Sequence, residues 1–133
     1  MNTTRASLQF FGYHVDKMVF NAKPNFNSED TQIELQPSFS RTIQQINADE
    51  YEVTIGVELK QNNLPFIAEL AITGKFKYDG SLDADKMLKI NAVAIMYPYV
   101  RATLSMMTTL AAVPPVIIPT INLARMFEKE DAE

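Results

Sequence analysis

The chain has 133 residues, no Cys and a formal net charge of −4. A domain of this length buries roughly two-thirds of its unfolded surface, so it needs neither disulfide nor metal to fold. The absence of Cys excludes thiolate chemistry and Cys-based zinc sites and suits a reducing cytosol; the mild acidity argues against a phosphate-binding surface, and no nucleic-acid partner is expected.

Residues 1–12 hold one Arg and an apolar run broken by Gln9, with no small-residue cleavage pattern, so no signal peptide is expected. Residues 8–20 (LQFFGYHVDKMVF) read as a strand that changes phase. Leu8 and Phe10 share one face, Phe11, Tyr13 and Val15 the other, and a bulge at Gly12 reconciles them. Residues 22–30 (AKPNFNSED) are turn and loop chemistry.

Period-2 alternation then appears three times. Ile33, Leu35, Phe39 and Ile43 are odd, as are Tyr51, Val53, Ile55, Val57 and Leu59. Phe66, Ala68, Leu70, Ile72, Phe76 and Tyr78 are even. Each run predicts a strand with one buried and one wetted face, and the short turns at 47–49 and 61–65 make neighbours antiparallel.

The helices follow. Ser81 or Asp83 can cap a start, and Pro98 predicts a break or restart. Beyond it, Val100, Leu104, Met107 and Leu110 keep helical spacing up to Pro114–Pro115. Thr120 or Asn122 can cap a last helix carrying Leu123, Met126 and Phe127. The uncharged run 102–124 has the length of a membrane span, but Pro114, Pro115 and Pro119 break it, so no membrane insertion is expected. Strands first and helices last indicate α+β: a first strand, a crossover, a three-strand meander, a long helix, an apolar Pro-rich loop and a short C-terminal helix. One domain spans 1–133, with 1–7 and 128–133 read as frayed tails.

Catalytic patterns are missing. His14 stands alone, Thr73-Gly74-Lys75 lacks the spacing of a phosphate loop, and no Gly-x-Ser-x-Gly elbow surrounds any Ser. Asp83 and Asp85 read as capping charges. No catalytic residue, metal site or cofactor is expected. Two features point elsewhere: an apolar prolyl loop that something must cover, and methionines (Met87, Met96, Met106, Met107, Met126) suited to varied partners.

Tyr97-Pro98-Tyr99-Val100-Arg101, followed by Val113-Pro114-Pro115-Val116-Ile117-Ile118-Pro119-Thr120-Ile121-Asn122, resembles the SecB protein-export chaperone family. Met18-Val19-Phe20, Tyr51-Glu52-Val53 and Phe66-Ile67-Ala68-Glu69 agree in order, so the resemblance covers about residues 8–127. It implies an ATP-independent, cytoplasmic holdase that keeps precursor polypeptides unfolded, assembled as a homotetramer built from two dimers. By the same resemblance the client groove comprises Ile33, Leu35, Phe39, Val113, Val116, Ile117, Ile118, Leu123, Met126 and Phe127. Phe11, Tyr13, Val15, Leu104 and Met107 are implied at subunit interfaces, and Ile67 and Glu69 at a docking patch for the SecA motor. Lys17 and Asn21 replace acidic positions of that patch, which favours general chaperoning over docking. The alternative is a dedicated chaperone for one fixed partner, such as an antitoxin.

Overall fold

The structure is a computed structural model that describes residues 8–24, 35–80, 83–111 and 126–127. Strands β1 (Leu8–Ala22), β2 (Ser38–Gln45), β3 (Glu50–Leu59) and β4 (Phe66–Tyr78) form one antiparallel sheet in the order β1-β4-β3-β2. The alternating residues predict this. Val53, Ile55, Val57 and Leu59 of β3 face the core in register with Gly74, Ile72, Leu70 and Ala68 of β4. Two short turns join β2 to β3 and β3 to β4. In the first, Asn47 Oδ1 accepts the amides of Asp49 (3.2 Å) and Glu50 (3.0 Å), turn chemistry typical of Asn. β1 crosses over to pair with β4.

Gly12 has φ +98°, and the β1–β4 register slips between Phe10 and Tyr13. That is the expected bulge, with glycine at the backbone angle that other residues resist. A second slip lies between Val15 and Lys17. Asp16, the extra residue there, accepts from the Thr73 hydroxyl and lies 2.7 Å from His14 Nε2. Thr73 also meets Thr54 Oγ1 at 2.7 Å, so the bulge is tied to β4 and β3 by side chains.

Helical residues cover one face of the sheet. Asp83 caps α1 (Ala84–Met87) by accepting from the Asp85 amide at 3.1 Å; Ser81 lies outside the described residues. A π-helical turn, Leu88–Ala92, leads directly into α2 (Val93–Leu110). Leu88, Ala92, Met96, Val100, Leu104 and Thr108 are all buried and recur every fourth residue. In a regular helix a four-residue step overshoots one turn by about 40°, so such a stripe drifts around the axis. The π turn, whose bonds span five residues, winds each residue through less angle and takes back part of that drift.

The expected break at Pro98 does not occur, for α2 runs through it. Pro98 and Ala94 are both exposed, so the carbonyl that loses its amide partner is on the wet side of the helix. The irregularity sits upstream, in the π turn. Leu110 also departs from its expected place: it is strongly exposed, whereas Val100, Leu104 and Met107 are buried.

Met96 of the helix packs directly over Gly74 of the sheet. A Cβ there would lie 2.8 Å from Met96 Sδ and 3.0 Å from Phe76 Cε2, so any larger residue must displace the Met96 side chain. Around this point Phe10 and Phe76 pack with ring centroids 5.0 Å apart.

Candidate functional site

Three surfaces carry the residues singled out in the sequence. The first is the β2 side of the covered sheet face. Leu35, Phe39 and Ile43 are half-buried there against the core, and Phe39 meets Tyr97 of α2 edge-on at 6.1 Å. Burial raises the Tyr97 phenol above its usual value, and nearby Arg101 opposes the shift. Met126 and Phe127 are helical and pack on the same core: Met126 is half-buried, Phe127 only 4% exposed. The structure thus brings Leu35, Phe39, Met126 and Phe127 onto one core. Ile33, Val113, Val116, Ile117, Ile118 and Leu123 lie outside the described residues, as do Thr120, Asn122 and the prolines of the loop.

Arg41 was not singled out by alternation, although its odd number places it on this face between Phe39 and Ile43. Its guanidinium lies 4.7 Å from the Phe127 ring centroid. Counting charged residues as outward-facing is what hid it.

The second surface is the β1 edge. Phe11 (62% exposed), Tyr13 (42%), Val15 (40%) and Met18 (52%) leave much apolar area open. Tyr13 and Val15 pair with Gly74 and Ile72 of β4 and so stand on the covered side of the sheet. Phe11, inside the bulge, lines instead a cavity of about 400 Å³ with Ile46, Glu50, Glu52, Lys75 and Lys77. Tyr99 of α2 packs on Tyr13 with the rings tilted and 4.9 Å between centroids, and Met106 is also exposed. Leu104 and Met107 do not belong to this surface. They are 1% and 5% exposed within the single chain, because α2 turns them onto the sheet, so their apolar area is already spent in the subunit's own core.

The third surface is the outer, wetted face. Glu69 of β4 is bonded by Lys17 (3.1 Å) and by Lys60 (3.3 Å), and Lys60 also pairs with Glu58 (3.7 Å). Hydrogen bonds from Lys17 and Lys60 hold the Glu69 carboxyl below the usual carboxylate range; the bond to Glu69 raises Lys60. Ile67 is half-buried opposite Asn21. Among the described residues no cluster of His, Asp or Glu is placed to hold a metal, and no helix is long and apolar enough to cross a membrane.

Residues 8–133 match the family described as preprotein translocase subunit SecB. The chain belongs to the SecB family. Its relatives include the protein-export protein SecB of Anaplasma phagocytophilum, 33% identical over 62% of this chain and 58% of that one. The protein-export protein SecB of Chromobacterium violaceum is 28% identical over 83% of this chain and 77% of the relative. A stretch of 38 residues is 58% identical to an uncharacterized protein of Methanocaldococcus jannaschii, covering 29% of this chain and 24% of that protein. The matched region spans little more than half the length of most of these SecB relatives. Among solved structures, the Mycobacterium tuberculosis SecB-like chaperone in complex with a ChAD peptide from the HigA1 antitoxin superposes with a TM-score of 0.68. It is 15% identical and covers 86% of this chain and 87% of its own, so the likeness is one of fold. The SecB fold accounts for the four-strand sheet, the crossover and the long helix as they stand here.

Proposed function

We propose that this protein is a holdase chaperone that binds non-native polypeptides without nucleotide and keeps them unfolded. Family membership over residues 8–133 carries the reading. The chemistry agrees with it: apolar side chains without convergent catalytic groups bind by burial, which is non-directional and therefore tolerant of client sequence. On this reading clients lie along the β2 side, against Leu35, Phe39 and Met126, with Ile33, Val113, Val116, Ile117, Ile118 and Leu123 extending the groove.

Self-assembly belongs to the same proposal. Tyr13, Val15, Met18, Tyr99 and Met106 are all exposed apolar side chains, and the rings of Tyr13 and Tyr99 touch. We assign them to the contacts of a homotetramer made of two dimers, acting in the cytoplasm and without enzymatic activity. Delivery to SecA is the weaker part, because Glu69 is already bonded by Lys17 and Lys60 and a basic docking peptide must displace them. That occupancy favours the second reading, a chaperone for one fixed partner such as an antitoxin; the neighbour of the same fold is solved with a peptide from one.

The test is light scattering of an aggregating model substrate, without nucleotide, beside the mass of the protein in solution. Suppression near one oligomer per substrate, by a species of about four chains, supports the holdase. No suppression, from a stable monomer or dimer, moves the reading to the single-partner chaperone, which a pull-down then seeks.

A further inference from the structure

Arg41 stands among apolar neighbours. Phe39 and Ile43 flank it on the covered face of β2, and its cross-strand partner is the fully buried Ile55. A guanidinium in such a place needs partners, and the ring of Phe127 supplies one. The carbonyl of Lys89 supplies another, accepting from Nη1 at 3.5 Å. Lys89 lies in the π turn, where the Val93 amide bonds the carbonyl of Ile90 and not the one four residues back. A carbonyl oxygen has two lone pairs, so the Lys89 oxygen can accept from the guanidinium whatever amide of the helix it also serves. One residue of β2 touches both the π turn and the C-terminal end of the chain.

We propose that Arg41 is a positioning residue for client binding: it anchors Phe127 and so holds the Met126–Phe127 pair on the β2 side of the core. The inference rests on the chaperone reading above. It makes Phe127 an anchor and Met126 the client contact, because Phe127 is almost fully covered while Met126 keeps open surface. Arginine suits the task. Its flat cation stacks on the ring while its fork of N–H groups reaches a carbonyl, two contacts that a lysine ammonium does not make together.

The experiment is a double-mutant cycle of Arg41→Met and Phe127→Leu, with Arg41→Lys as the conservative variant. Amide exchange at Phe127 is read without client, and affinity for an unfolded model client is read separately. We expect Arg41→Met to lower protection at Phe127 and weaken client binding about fivefold, with no further loss in the double variant and partial rescue by Arg41→Lys. Unchanged protection in Arg41→Met, or additive effects of the two substitutions, overturns the anchor. Lost protection with unchanged client affinity overturns its role in binding. If Arg41→Met does not fold, the Arg41→Lys comparison against Phe127→Leu decides the same question. A wild-type protein that binds no client sinks the holdase reading instead, and the exchange data still decide whether Arg41 holds Phe127.

Discussion

Lys17 Nζ lies 3.1 Å from Glu69 Oε1, joining β1 to β4 across the outer face of the sheet. Lys60 reaches the same carboxylate from the end of β3, so one acid serves two bases.

Because both lysines lower the Glu69 pKa, the pair stays charged to more acidic pH than an isolated Glu. Its contribution is present above the ordinary carboxylate value of about 4.3 and is lost as pH falls through the lowered folded value. Both lysine side chains are half-exposed, so water and salt keep that contribution small. Carbon-detected NMR titration of Glu69 should give a midpoint below the ordinary value, and Lys17→Ala should move it upward. A midpoint indifferent to Lys17 contradicts the pairing.

Gly74→Ala should destabilise the protein by about 1–3 kcal/mol through overpacking at the helix–sheet contact. Met96 can shift its sulfur, but Phe76 and Phe10 close the other sides, the latter at 3.1 Å. Urea unfolding of the purified variant is the check, and wild-type stability would mean that the contact yields without strain.

Leu104→Ala tests the placement of α2. A side chain buried within the subunit should cost about 2–5 kcal/mol on truncation. The loss should appear in the unfolding free energy of the subunit at any protein concentration. A side chain at a subunit boundary would instead show a loss that grows on dilution.

Val15→Asp addresses the opposite kind of site. Val15 is 40% exposed in the single chain, so the substitution should leave the subunit folded while setting a charge in the surface assigned to assembly. Solution mass should fall below that of the wild type at equal concentration, with circular dichroism unchanged. An unaltered mass removes this strip from the assembly contacts.

The sheet was legible because three runs of strict alternation leave one solution for which side is wet. The bulge at Gly12 was legible too, since the apolar phase changes on either side of a glycine. The bulge at Asp16 left a fainter mark: the covered side passes from Tyr13 and Val15 to Met18 and Phe20, but apolar Val19 on the other face blurs the change, and its hydrogen bonds depend on Thr73, distant in sequence. The helix resisted for another reason. Proline predicts a break only where the freed carbonyl lacks a substitute for its amide, and Ala94 faces solvent. An apolar helical stripe such as that of Leu104 and Met107 reads the same in sequence whether it meets the chain's own sheet or another subunit. Arg41 escapes the alternation because a charged residue reads as outward-facing, whereas a long side chain can cross an apolar face to reach a ring and a carbonyl.

The π turn at Leu88–Ala92 amounts to one surplus residue stored inside a helix. Removing one residue there should restore regular winding with little rotation of Asp83 and α1 relative to α2, because five residues of a π turn wind through about the angle of four in a regular helix. The same deletion within Val93–Leu110 would turn half the buried stripe away from the core. Length variation between relatives therefore has a tolerated place in mid-helix, and an alignment that permits gaps only in loops will misnumber everything between Asp83 and the π turn.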